Sequence, residues 1–159
     1  MKFFLLVAGM LLTCFVVTAQ DKEKLVGKWK IIVMYDSNMH FDVKKDSLYL
    51  KNDPKTKKQP ASIYNQARAM MKELYMGAYI ELKANMEYEE GSGIQGVRKG
   101  AYIVDEVNKI IIIKRERKSK ATGELTIKEE KIPYYFKAER LVFVSKSEDD
   151  GPTVEFEKQ

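Results

Sequence analysis

The chain predicts a mainly β protein: an antiparallel up-and-down barrel of about eight strands, with one helix between the first and second strands. Three observations carry this. Period-two alternation of apolar and polar residues dominates everything after residue 20. A single segment, about Ala61 to Met76, switches to helical spacing. Short turns join the later strands, and closing a sheet of about eight strands removes its edges.

In the first strand, Leu25, Gly27, Trp29, Ile31, Val33 and Tyr35 share one face and Lys28 and Lys30 lie on the other, so one face is expected buried and one wet. Residues 36–59 are polar and broken by Asp53-Pro54; they read as a long connection, with Leu48-Tyr49-Leu50 as its only short strand. In the helix, Ile63, Ala67, Met70, Met71 and Leu74 form an apolar stripe. Pro60 precedes it, and Gly77 is placed to end it as the residue beyond the C-cap.

Strands follow over 79–83 and 86–90, a hairpin around Ala84-Asn85 in which Asn can take positive φ. The next pair spans 97–104 and 109–116, with Ile110 to Ile113 apolar on both faces. A wet turn at 118–123 leads to 124–136, which Pro133 is expected to kink or divide. Strands over 141–146 and 153–157 finish the chain around an acidic turn at 148–151.

Residues 1–19 have the anatomy of a secretory signal peptide: Lys2, an apolar run from Phe3 to Val17, and small residues Val17 and Ala19 before a cleavage site. Cutting after Ala19 would leave residues 20–159 as one barrel domain, periplasmic or secreted. A lipid anchor at Cys14 is the alternative, but Thr13 is poorly suited to precede a lipidated cysteine and Phe15-Val16-Val17 prolongs the apolar run. Loss of the leader removes the chain's one cysteine, excluding disulfides, thiolate metal sites and a cysteine nucleophile. It also takes the net charge from +5 to +4, too mild for a nucleic-acid signature. No later segment has the roughly 18 apolar residues of a membrane span.

The segment Lys24-Leu25-Val26-Gly27-Lys28-Trp29 resembles the opening of a lipocalin-type, more broadly calycin, barrel, whose first strand carries Gly-x-Trp. The whole is similar to the short exported lipocalin-like domains of bacteria, which also run from a signal ending in Ala-Gln into a Leu-x-Gly-x-Trp strand. The segments Ile80 to Tyr88, Gly100-Ala101-Tyr102 and Asn108-Lys109-Ile110 extend the likeness. It implies that Gly27 allows close backbone approach and that Trp29 floors the barrel beneath an arginine from near the last strand, an arginine not clearly present in this chain. In this chain Arg140 precedes the penultimate strand and Lys158 is the basic residue of the last.

Signals for catalysis are weak. His40 is the sole histidine, in an expected loop. The carboxylate pairs Glu89-Glu90 and Glu129-Glu130 are neighbours on strands, so their members point to opposite faces and read as solvated charge. The basic clusters at 51–58 and 114–120 likewise read as solvated loops and turns. No enzyme activity, metal or cofactor is expected.

The expected function is non-covalent binding of a small apolar or amphipathic ligand inside the barrel. Its lining is expected from Trp29, Ile31 and Val33 on the first strand and Ile80 and Leu82 on the second. Tyr88, Tyr102, Tyr134 and Phe136 complete it, with Met70 and Leu74 on the helix as a lid. The alternative is a filled, cavity-free barrel acting as an interaction module at the cell envelope, with Ile32 and Met34 as an exposed patch. Neither ligand identity nor oligomeric state follows from the sequence.

Overall fold

The computed structural model describes residues 20–50, 61–92, 94, 96–118, 124–145 and 151–159. The expected leader, the 51–58 cluster, and residues 119–123 and 146–150 lie outside the described residues. In chain order the elements are α1 (Gln20–Leu25), β1 (Gly27–Tyr35), β2 (Met39–Asp42), β3 (Ser47–Leu50) and α2 (Ala61–Tyr75). Then come β4 (Tyr79–Leu82), β5 (Glu87–Ser92), β6 (Gly96–Asp105), β7 (Ile110–Lys118), β8 (Leu125–Lys137), β9 (Arg140–Val144) and β10 (Thr153–Lys158).

Strands β4 to β10 pair antiparallel in sequence order, and β1 joins β4 on one edge and β10 on the other, so eight strands close into a barrel. The up-and-down order matches expectation, and α2 falls between the first and second barrel strands. The connection before α2 contains more structure than its sequence suggests. Hairpin β2–β3 pairs with the far half of β1, which therefore exchanges β4 for β2 as its neighbour after Lys30. Each of these four-residue strands buries one residue, Phe41 or Leu48, too little alternation to register as a period.

A β-bulge in β1 corrects the facing of its second half. Ile31 pairs with Phe156 but Val33 pairs with Glu155, so one extra residue is inserted at Ile32. Inserting one residue reverses every later side chain. Trp29 and Ile31 point inward as expected, but beyond the bulge Met34 is buried and Val33 and Tyr35 are not. Ile32 and Met34 are 2% and 4% exposed, so they form no surface patch.

The interior divides into two apolar clusters. The barrel's own core includes Leu25, Trp29, Leu82, Tyr88, Tyr102 and Ile111. The second cluster, Met34, Phe41, Val43, Leu48 and Met71, lies where α2 packs on the β2–β3 hairpin. Helix α2 is seated by Ala67, Met71 and Tyr75, while Ile63 and Met70 are 45% and 56% exposed. The Tyr64 hydroxyl donates to the Leu48 carbonyl and Lys72 pairs with Asp46 at 2.7 Å, which locks this rotation. Gly77, at φ +80°, ends the helix as expected; the N–H of Met76 reaches the Lys72 carbonyl at 2.8 Å.

Two turn expectations are refined. In the β4–β5 turn Met86, not Asn85, takes positive φ, and the Asn85 amide oxygen accepts from the Glu87 N–H at 3.2 Å. Pro133 does not divide β8. The Tyr134 N–H bonds Lys109 on the β7 side, so the missing Pro133 N–H faces β9, whose described ladder starts at Tyr134↔Phe143.

Helix α1 and the Gly-x-Trp segment close one end of the barrel. The Trp29 indole N–H donates to the Leu25 carbonyl at 2.7 Å, and its ring sits 6.2 Å from Phe136. Lys158 Nζ lies 5.3 Å from the Trp29 ring centroid and donates to the Lys24 carbonyl at 3.2 Å. A lysine of the last strand thus lies over the tryptophan, where the resemblance implies an arginine. A Cβ on Gly27, at φ +138°, would come within 2.6 Å of Lys158 Cε, so the glycine admits this side chain.

On the outer wall beside the bulge, the buried Glu155 carboxylate accepts from Arg140 at 2.9 Å and Lys137 at 3.2 Å. Burial would raise its pKa, but these two cations hold it below the ordinary carboxylate value. A depressed folded-state pKa adds stability that is present above the unfolded value of about 4.3 and is lost as pH falls through the folded value. Glu155→Gln should therefore lower the urea midpoint near neutrality, with its deficit against the parent shrinking below about pH 4. A deficit independent of pH would show that the ion pairs contribute nothing.

Candidate functional site

The opposite end of the barrel is open and contains a cavity of about 310 Å³. Its apolar walls come from Ile31 on β1, Ile80 on β4, Ile113 on β7, Ile132 on β8, Phe143 on β9 and Phe156 on β10. Leu74, Tyr75 and Ala78, at and just beyond the end of α2, form one side of the mouth. This helix is held beside the opening because Ile31 N–H donates to the Ala78 carbonyl at 3.0 Å. Phe143 and Phe156 meet edge to face at 5.0 Å.

Above these walls the inward-facing positions become charged. Alternation carries Tyr88 to Glu90 on β5, Tyr102 through Gly100 to Arg98 on β6, and Ile111 through Ile113 to Arg115 on β7. On β8 it carries Tyr134 through Ile132 to Glu130. Arg115 is central. Its Nε donates to the Tyr88 hydroxyl at 2.7 Å, Nη2 to Glu90 at 2.8 Å and Nη1 to Glu130 at 2.5 Å. Arg98 adds a longer contact of 3.5 Å to the other Glu90 oxygen. Burial opposes the Arg115 charge, but Glu90, Tyr88 and Glu130 offset it and raise the guanidinium pKa. Burial also raises that of Tyr88, against the opposing pull of Arg115.

The rim has room because the wall is split there. Among the described residues the β6–β7 ladder stops at Ala101↔Lys114, whereas β5–β6 continues to Ser92↔Gly96 and β7–β8 to Lys118↔Leu125. The two hairpins therefore separate above Gly100. On the other side of β8, a second recess of about 490 Å³ is bordered by Glu130, Ser145, Pro152 and Val154 and shares Ile132 and Phe143 with the first.

Of the residues expected to line a site, Ile31, Leu74 and Ile80 do border the cavity. Tyr88 lies beneath it and supports Arg115. Trp29, Leu82, Tyr102, Tyr134 and Phe136 belong to the closed end. There the Tyr102 hydroxyl donates to the Lys83 carbonyl at 2.8 Å and the Tyr134 hydroxyl to Asp21 at 3.4 Å. Burial, then Asp21, raises the Tyr134 pKa. Val33 is turned by the bulge to an outer recess with His40 and Asp42, and Met70 points to solvent; neither lines the cavity. His40 is on β2 rather than in a loop, stacked on Tyr35 at 6.0 Å.

The charged rim was missed by sequence reasoning. In the sequence Arg115 reads as part of a solvated basic turn, and Glu90 and Glu130 as surface carboxylates. The signal was available: counting by two from Ile113, Tyr88 and Ile132 lands on all three. Glu89 and Glu129, their neighbours, do face outward, to Tyr79 at 2.6 Å and Lys114 at 2.9 Å.

Fold and site together define a small closed eight-stranded antiparallel barrel, capped at one end and hollow at the other. Among solved structures, the chain is similar to the crystal structure of a DUF4847 family protein from Bacteroides vulgatus ATCC 8482. The TM-score is 0.52 at 14% identity, covering 85% of this chain and 95% of that one. At this identity the likeness is one of fold. No family model matches the chain, and no curated protein matches it significantly. Among the described residues no helix is long and apolar enough to cross a membrane, and no three His, Cys, Asp or Glu residues are grouped to hold a metal.

Proposed function

We propose that this protein is an exported, non-catalytic binding protein that holds a small amphipathic molecule in the open end of its barrel. The observation that carries the reading is the 310 Å³ cavity with apolar walls and a charged rim. Binding sites for small molecules combine this kind of lining with a few polar groups and start at about 300 Å³. A barrel filled by its own side chains would have no such space. The walls would supply affinity through burial at about 25 cal/mol per Å² of apolar surface, and the rim would set orientation. Export rests on the residue pattern of 1–19; cleavage after Ala19 would leave α1 whole, with Asp21 free to pair with Lys109 and cap the closed end.

Native mass spectrometry of the protein recovered from outside the cytoplasm tests the reading, with a retained small molecule as the expected result. Displacement of an environment-sensitive dye supplies a second test. Leu74→Trp should weaken dye binding about tenfold by filling the mouth, while Met70→Ala should leave it unchanged. If no molecule is retained and Leu74→Trp has no effect on dye binding, the cavity is not a binding site.

A further inference from the structure

Glu130 is the most interchangeable member of the rim. The Arg115 guanidinium is fixed from the core by Tyr88 and from the side by Glu90, whose side chain is only 25% exposed. Glu130 is 44% exposed and sits on the part of β8 that, among the described residues, has no ladder to β9. It also borders the second recess, so it can turn away from Arg115 without entering the apolar cavity. Arg98 and Arg115 balance Glu90 and Glu130 in charge, and that balance matters most at Arg115 and Glu90, each 25% exposed, whereas Arg98 and Glu130 are 52% and 44% exposed. One group of negative charge can replace Glu130 with the balance kept; an added cation cannot.

We propose that Arg115 is the seat for the anionic group of a small amphipathic ligand, and that Glu130 competes with the ligand for that seat. This rests on the reading of the cavity as a binding site. The ligand's anionic group would take the Nη1 face of Arg115, while its tail runs down between Ile80, Ile113, Phe143 and Phe156. At about 310 Å³ and open at the mouth, the cavity has the size of a site for one small molecule. Glu130 thereby becomes a specificity-determining residue: it disfavours neutral amphiphiles, which cannot replace its charge beside Arg115, and weakens anions by competition.

The test is dye displacement from the purified exported protein by octanoate, octyl sulfate, octanol and octylamine, three chemistries on one tail. Either anion should displace better than octanol and octylamine. Glu130→Gln should tighten the anions about tenfold and leave octylamine no tighter. Arg115→Gln should abolish the preference for anions; if that variant does not fold, Glu130→Gln decides alone. Equal displacement by octanol and octanoate, or weaker anion binding in Glu130→Gln, overturns the proposal while leaving the cavity reading intact. Failure of all four compounds, with no dye bound, overturns both.

Discussion

Trp29→Ala is expected to lower the stability of the folded barrel by about 3–5 kcal/mol. Trp29 is 2% exposed and seals the closed end against Phe136. Truncation removes the packed indole and leaves a space that rigid strands on all sides collapse into poorly. It also orphans the Leu25 carbonyl and deprives Lys158 of the ring beneath it. Trp29→Phe separates these contributions, since it keeps most of the apolar volume and loses chiefly the indole hydrogen bond, about 1 kcal/mol. Urea unfolding should be followed by far-ultraviolet circular dichroism, because Trp29 is the only tryptophan and its removal abolishes the fluorescence signal. A Trp29→Ala midpoint close to that of the parent would mean that this end is not sealed by the indole.

Gly100→Ala is the second change with a large expected effect, although it adds one methyl group. A Cβ at this position would lie inside van der Waals contact of the Lys114 carbonyl oxygen and 2.5 Å from Tyr88 Cε1. The first obstacle is backbone at the last rung of the β6–β7 ladder, and the second is a fully buried ring, so neither yields easily. Overpacking of this kind costs typically 1–3 kcal/mol, sometimes more. The displaced Tyr88 would also carry its hydroxyl away from Arg115, so binding at the mouth should weaken beyond the loss of stability. Denaturant titration and dye affinity, measured on the same samples, check both effects. Unchanged values for both would show that the strands separate at Gly100 with slack to spare.

These two glycine and tryptophan positions also show what can be read without coordinates. Gly27-x-Trp29 identifies itself by type and spacing, and the structure puts both at the closed end. Gly100 does not: its role depends on Tyr88 lying across it from the neighbouring strand, a pairing that eleven intervening residues leave open in the sequence. The helix shows the same divide. Its extent and its stop at Gly77 follow from local pattern. Which face it buries was decided by the β2–β3 hairpin beneath it, which favours Ala67 and Met71 and leaves Ile63 and Met70 in solvent.

Sequence alone determined the class of fold, the succession of the eight barrel strands and the inward parity of most of them, because alternation is a local property of an extended chain with one wet face. Tertiary structure alone decided where parity changes and where the wall opens. The bulge at Ile32 exists through its register with β10, and the rim exists because two hairpins part above Gly100. Charge made the rim invisible in one dimension. An arginine that follows four isoleucines and a lysine reads as the start of a wet turn until strands from elsewhere in the chain place Tyr88, Glu90 and Glu130 around it.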